Sequence, residues 1–250
     1  RPVAVKRIRA ELAHDANFVA LFVEEARVCA GIVHPNIVQI HDFGDDGGRY
    51  FLVMEWIEGC SLARYLSGLR EMGSLPPWQL MAGVTLEALK ALGAAHERTG
   101  PEGALQPVYH RDVTPQNILL SVNGVVKLTD FGLARAMDRA RMTAPEIIKG
   151  KVGYLAPELT RAEGPTPQSD IYALGVVLWQ ALAGRKLFEG KDDIDIFVAA
   201  SRGEVPPINE LRPDVPREFA LIVERALARD PDDRFSAAAQ MERVIAKLLR

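Results

Sequence analysis

Tyr109-His110-Arg111-Asp112-Val113-Thr114-Pro115-Gln116-Asn117, followed by Asp130-Phe131-Gly132, is the stretch from which the rest of the chain is read. Asp112 is a carboxylate able to accept a hydroxyl proton. Asn117 and Asp130 offer oxygen, the ligand type that magnesium prefers. Pro115 disfavours helix at Thr114, so an ordered loop is expected. Between the two motifs, Ile118-Leu119-Leu120 and Val125-Val126-Lys127-Leu128 flank Asn123-Gly124 and read as a hairpin. A bare His-x-Asp is a weak signal, since it more often reports a solvated loop. Two motifs in this order, with a hairpin between them, are a specific one.

Downstream, Leu133 to Ile148 has weak periodicity and many charges, and reads as a mobile loop ending in Gly153-Tyr154-Leu155-Ala156-Pro157-Glu158. Ser169 to Ala183 is apolar nearly all round, so a buried central helix is expected. Ser169 or Asp170 is its expected start cap and Gly184 its end. Further helices are expected over Asp192 to Arg202 and Pro216 to Ala228, and a last one from a Ser236 cap to the end. Between them lies the turn Arg229-Asp230-Pro231-Asp232-Asp233-Arg234-Phe235.

Upstream, residues 78 to 97 and 60 to 68 read as helices, the former with Pro77 at its start. Thr99 to Pro107 is a surface loop by composition. Arg49 to Glu55 is a strand returning from the turn Asp45-Asp46-Gly47-Gly48, with His34 to Ile40 leading into its partner. Residues 15 to 30 read as a helix with Phe18, Phe22, Glu25 and Cys29 on one face. A carboxylate in an apolar stripe needs a partner, and Lys6 is the natural candidate. Lys6 lies in the strand Val3 to Ile8, where it shares a face with Ala4 while Val3 and Val5 point the other way.

The 250 residues suffice for one large domain or two lobes with a real core. Hydrophobic residues make up 48% and charged residues 25%, the balance of a soluble globular protein. A net charge of −3 argues against a dedicated nucleic-acid binder. Cys29 and Cys60 have no paired spacing, which fits a reducing cytosolic setting and neither a disulfide framework nor a zinc site. The longest apolar run, Ile171 to Trp179, is too short to cross a bilayer, and no signal peptide is visible. The first residue is Arg1 rather than Met, so a piece of a longer chain is expected.

The stretch around Asp112 and Asp130 resembles the catalytic and magnesium loops of protein kinases. Ala156-Pro157-Glu158 resembles the motif that closes their activation segment, and Met54-Glu55-Trp56-Ile57-Glu58-Gly59 their gatekeeper and hinge. Nearly the whole chain resembles that family from its third strand onward, with bacterial eukaryotic-like serine/threonine kinases nearest. The resemblance implies an α+β, two-lobed fold: a partial antiparallel-sheet small lobe and hinge over residues 1–57, and a mainly helical large lobe over 58–250. It implies magnesium-ATP as cofactor and transfer of the γ-phosphoryl group to Ser or Thr hydroxyls of a protein partner. Asp112 would orient the acceptor hydroxyl, Asn117 and Asp130 would hold magnesium, and Lys6 with Glu25 would fix the phosphates. Ala4 and Leu119 would sandwich adenine, with Met54 as gatekeeper and the backbones of Glu55 and Ile57 facing the base. Asp170 would bond the backbone of the catalytic loop, and Arg234 would pair with Glu158.

Arg111 before the aspartate implies control by a phosphate on the activation segment. Thr143 is the candidate acceptor, Arg111 and Arg135 the candidate receivers, and self-association would allow phosphorylation in trans. A cytoplasmic setting follows from the same reading, with a membrane anchor outside this stretch left open. A pseudokinase scaffold or binding module is the competing reading. The presence of Lys6, Glu25, Asp112, Asn117 and Asp130 together argues against it. A small-molecule kinase is disfavoured by the Ala-Pro-Glu segment, Asp170 and Arg234. A tyrosine kinase is disfavoured by the lack of an Ala-Ala-Arg or Arg-Ala-Ala pattern in the loop.

The chain departs from the family pattern twice. Where relatives specific for Ser and Thr carry lysine and threonine that meet beside the aspartate, this chain carries Thr114 and Lys151. Lys151 is therefore expected to reach back to Asp112 and supply the missing cation at the γ-phosphate. The family's glycine-rich phosphate loop precedes the lysine strand, and this sequence starts five residues before Lys6. Gly44, Gly47 and Gly48 do not replace that loop, which leaves open whether this stretch alone binds ATP.

Overall fold

The structure, a computed structural model, describes residues 2–8, 13–100, 102–131, 151–161 and 163–250; the side chains of Ala16 and Glu25 also lie outside the description. The loop expected over Leu133 to Ile148, with Arg135 and Thr143, falls outside the described residues.

Alternating burial sets the first strand. In β1 (Val3–Arg7), Ala4 and Lys6 are half-buried while Val3 and Val5 are exposed. The strand pairs antiparallel with β3 (Arg49–Glu55), which also pairs with β2 (Ile40–Asp46), giving the order β1-β3-β2. The register sets Ala4 opposite Met54 and Lys6 opposite Leu52. Gly47 and Gly48, at φ 61° and 83°, form the two-residue turn between β2 and β3. Both central residues of such a turn need positive φ, which glycine adopts without a Cβ penalty.

Helix α1 (Ala16–Ala30) begins where the Asp15 side chain accepts from the amides of Asn17 and Phe18. It lays Phe18, Phe22 and Ala26 on Leu52 of the sheet, a small core of its own. One turn further, Cys29 enters the larger core.

A second antiparallel sheet has the order β4-β5-β6, from β4 (Gly59–Ser61), β5 (Ile118–Ser121) and β6 (Val126–Leu128). The β5–β6 hairpin turns at Asn123-Gly124, with Gly124 at φ 78°. The helix expected over residues 60 to 68 is corrected here. Cys60 is strand, opposite Leu120, and α2 runs Leu62–Glu71 from a Ser61 cap. The pairing partner lies far along the chain, so local periodicity carries no sign of it.

The remaining helices are α3 (Trp78–His96), α4 (Pro157–Thr160), α5 (Pro167–Ala183), α6 (Asp193–Arg202), α7 (Ile208–Leu211), α8 (Arg217–Ala226) and α9 (Ala238–Leu248). Helix α5 is the axis of the large core, with Ile171, Tyr172, Leu174, Val176, Leu178 and Trp179 all buried. It packs against α3, α8 and α9.

Its start differs from the expectation. Thr166, not Ser169 or Asp170, is the cap, forming a reciprocal capping box with Ser169 ahead of Pro167. Pro is well placed at the first helical position, where its missing N–H costs nothing. Gly184 closes the helix at φ 68°. The last helix likewise starts after Ala237, whose methyl side chain makes no cap bond, while the Ser236 amide and hydroxyl bond Gln240. Helix α8 ends at Ala226, two residues short of the expected end, and Asp192 caps α6. Among the described residues no helix is long and apolar enough to cross a membrane.

Candidate active site

The loop of residues 109–117 is held from below by one carboxylate. Asp170, in the first turn of α5 and 1% exposed, accepts from the amides of His110 and Arg111, both at 2.8 Å. It also accepts from His96 Nε2 at 2.9 Å. Burial alone would raise its carboxyl, but the bond from His96, with that from the His110 amide, holds it below the usual carboxylate range.

These bonds meet a strained backbone at Arg111. Arg111 sits at φ 63°, and Asp130, across the hairpin, at φ 64°. Such conformations are costly for non-glycine residues and persist only where the surroundings over-determine them.

His110 is fully buried. Its Nε2–H donates to the Thr129 carbonyl at 3.0 Å, and its Nδ1 accepts from the Asp112 amide at 3.3 Å. That bond pattern requires the neutral ring. Burial lowers its pKa, against the pull of Asp170, Asp112 and Asp130. Its ring packs on Phe131 with centroids 4.4 Å apart. Cys29 Sγ, from α1, donates to the Phe131 carbonyl at 3.1 Å, tying that helix to the second motif.

The side chains of the two motifs then converge. Asn117 Nδ2 donates to the Asp112 carbonyl at 2.8 Å and to Asp112 Oδ2 at 2.9 Å. Lys151 Nζ lies 2.5 Å from the same Oδ2. Lys6 Nζ lies 2.6 Å from Asp130 Oδ1, so β1 and the second motif meet across the cleft. The backbone of Glu25 lies in α1, but its side chain is outside the description. The ion pair that the structure describes for Lys6 is the one with Asp130.

Met54 packs beside Phe18, Phe22 and Leu52. The Glu55 carboxylate accepts from Lys127 Nζ at 2.9 Å, joining β3 to β6. Ala4, Ile57 and Leu119 are each half-buried.

Lys151 immediately precedes a single 3₁₀ turn, Val152–Tyr154. The Tyr154 hydroxyl, pushed up to about 12 by burial, donates to Gln180 of α5 at 2.9 Å. Thr114, 1% exposed, has its hydroxyl buried with no hydrogen-bond partner among the described residues. A cavity of about 140 Å³ opens beside Asp112, lined among others by Arg111, Thr114, Lys151, Leu155 and Phe197.

Further off, Arg234 and Glu158 form a bidentate pair at 2.8 and 2.7 Å, both fully enclosed. Carbonyls of Ala228, Arg229 and Gln168 satisfy the rest of the guanidinium, which also lies over the Tyr172 ring.

Sequence reasoning missed His96, the bond of Cys29 to Phe131 and the Lys127–Glu55 pair. A histidine in the last turn of an apolar helix was a signal for the first; nothing local pointed to the others. Asn117 and Asp130 offer an amide and a carboxylate oxygen. Among the described residues no group of three or more His, Cys, Asp and Glu side chains could hold a metal ion. That donor set fits magnesium, which typically takes one or two protein oxygens and shares the rest with phosphate and water.

A model of the protein kinase domain matches residues 1–244. Tyrosine-protein kinase MasK of Myxococcus xanthus is 37% identical over 95% of this chain. Serine/threonine-protein kinase PrkC of Bacillus subtilis is 36% identical over 97%. Serine/threonine-protein kinase PknL of Mycobacterium tuberculosis is 39% identical over 96% of this chain and 57% of its own length. The chain spans 37% and 36% of the lengths of MasK and PrkC. The crystal structure of the Mycobacterium tuberculosis PknI kinase domain matches with a TM-score of 0.74 at 24% identity, covering 98% of this chain and 85% of that one. The fold is thus the two-lobed α+β fold of protein kinases. With its two motifs on one cleft and residues 1–244 matched, this chain belongs to the protein kinase domain family.

Proposed function

We propose that this chain transfers the γ-phosphoryl group of ATP to Ser or Thr hydroxyls of a protein, itself included. The family implies ATP as substrate and typically magnesium. The observation that carries the reading is the convergence of Asn117 and Lys151 on Asp112, beside the Lys6–Asp130 pair. In phosphoryl transfer the protein mainly positions groups and neutralises charge.

Asp112 orients the acceptor hydroxyl and takes its proton. Among the described residues its side-chain contacts fall on Oδ2, which leaves Oδ1 to the acceptor. Asn117 and Asp130 hold magnesium, which supplies neutralising charge at the phosphates when bound. Lys6, steadied by Glu25, binds phosphate. Ala4 and Leu119 enclose adenine, with Met54 behind it and the Glu55 and Ile57 backbones at its edge. Asp170 holds the loop, and Glu158 with Arg234 anchors the end of the activation segment. Thr143 is the phosphate acceptor of that segment, read by Arg111 and Arg135. The division into residues 1–57 and 58–250, action in the cytoplasm and self-association in trans belong to the same reading.

The names of PrkC and PknL support Ser and Thr as acceptors, and that of MasK supports tyrosine as the second reading. Mass spectrometry of the full-length protein after incubation with magnesium-ATP tests both. Phosphothreonine at Thr143 is expected, reduced about 10²- to 10⁴-fold in rate by Asp112→Asn, the usual worth of a positioned proton acceptor. Phosphate confined to tyrosines would replace the first reading with the second. No phosphate and no ATP binding would leave a scaffold.

A further inference from the structure

We propose that Lys151 is the positioning residue for Asp112, and that Thr114 and Lys151 form one exchanged pair in which the cation beside the base comes from the activation segment. The inference rests on the kinase reading and deepens it.

The geometry around a single oxygen carries it. Asp112 Oδ2 takes Lys151 Nζ at 2.5 Å and Asn117 Nδ2 at 2.9 Å, from opposite ends of the sequence between them. Two donors on one oxygen of a carboxylate that is 12% exposed fix its rotation. An ammonium has three donors, so two remain for anionic oxygen brought beside Asp112. Thr114, two residues after Asp112, lines the same cavity with a hydroxyl that has no partner among the described residues. A hydroxyl cannot serve the carboxylate as a cation does, and among the described residues the cation paired with Asp112 is Lys151.

The source is anchored. Val152 and Gly153 are buried, Leu155 N bonds the Val152 carbonyl, and Tyr154 is tied to Gln180 of α5. The ammonium of Lys151 therefore reaches Asp112 only while this turn is docked on α5 and α6. In this protein the orientation of the base depends on the seating of the activation segment, through a bond to the base itself. The Lys151 side chain is 44% exposed, so its pair with Asp112 adds little to stability. Its effect falls on transfer, and that separates a positioning role from a structural one.

The test compares wild type, Lys151→Thr, Thr114→Lys and the double variant in the full-length protein. Rates with magnesium-ATP are measured together with calorimetric affinities for magnesium-ATP and magnesium-ADP, and thermal unfolding serves as the fold control. Lys151→Thr is expected to lower kcat about 10²-fold, the scale of one preorganised charged donor. Its KM for the protein acceptor should change little, its melting temperature should stay near wild type, and its preference for ATP over ADP should fall. The double variant should regain at least about tenfold of the lost kcat by offering the cation from position 114, with non-additivity marking the two as a unit. Wild-type kcat and ATP preference in Lys151→Thr would overturn the proposal, as would a folded double variant no better than that single variant. If wild type transfers no phosphate, the kinase reading falls, and the ATP-to-ADP preference alone decides the role of Lys151. Absence of nucleotide binding in wild type would overturn both.

Discussion

Asp170 holds together more of the site than any residue of the loop it supports. Its two oxygens accept three donors, from His96, His110 and Arg111, with 1% of the residue exposed. An asparagine has one acceptor oxygen and would turn an N–H donor toward donors. Asp170→Asn therefore leaves at least one buried donor unpaired, which costs about 1–3 kcal/mol. It also releases Arg111 from its positive φ. The expected outcome is a lower melting temperature together with slower transfer at unchanged ATP affinity. A variant with wild-type stability would contradict the three-donor account. The bond between Asp170 and the loop backbone was expected only from the family resemblance, since its position alone suggested a helix cap, which Thr166 supplies. The third partner of Asp170 was not legible, because His96 lies 74 positions away on another helix.

Helices and hairpins were legible wherever their signals are local. The glycine turns at Gly47-Gly48 and Asn123-Gly124, the stripe of Phe18, Phe22 and Cys29, and the apolar surface of α5 each follow from period and turn chemistry. Element ends were less so. The start of α5 lies three residues ahead of the expected cap, at Thr166, because Pro167 can occupy the first turn. Replacing an N-cap threonine by alanine typically costs about 1 kcal/mol. Thr166→Ala is expected to lower stability by about that amount, while Ser169→Ala, which keeps the Thr166 hydroxyl bond to its amide, costs less. Equal losses in denaturant titrations would return the cap to Ser169. Strand β4 was not legible, because it exists only through its pairing with β5.

At the scale of the molecule, the buried His110 and Asp170 make stability depend on pH in one direction. Burial lowers the His110 pKa from its ordinary 6.5, so the folded chain binds that proton less tightly than the unfolded one. The stability this contributes is complete above 6.5 and is lost as pH falls from there. Asp170, also lowered in the fold, adds stability present above its ordinary 3.8 and lost as pH falls below it. Melting temperatures should therefore decline from about pH 6.5 downward and more steeply near pH 4. His110→Gln should flatten the first slope, though His34, shifted the same way but more exposed, retains part of it. A melting temperature that rises from pH 7 to pH 5 would refute this account.

The residues themselves determined the two motifs, their order, the hairpin between them, the central helix and the unusual placement of Thr114 and Lys151. The hairpin and the helix rest on spacings of a few residues, where periodicity of 2 or 3.6 and turn chemistry act, while the motifs and the placement of Thr114 and Lys151 are read through the family resemblance. Only the tertiary structure decided that Lys6 meets Asp130, that His96 joins Asp170 and that Cys60 is strand. Each of these joins residues far apart in sequence, and such contacts form only when packing of the large core brings the elements together.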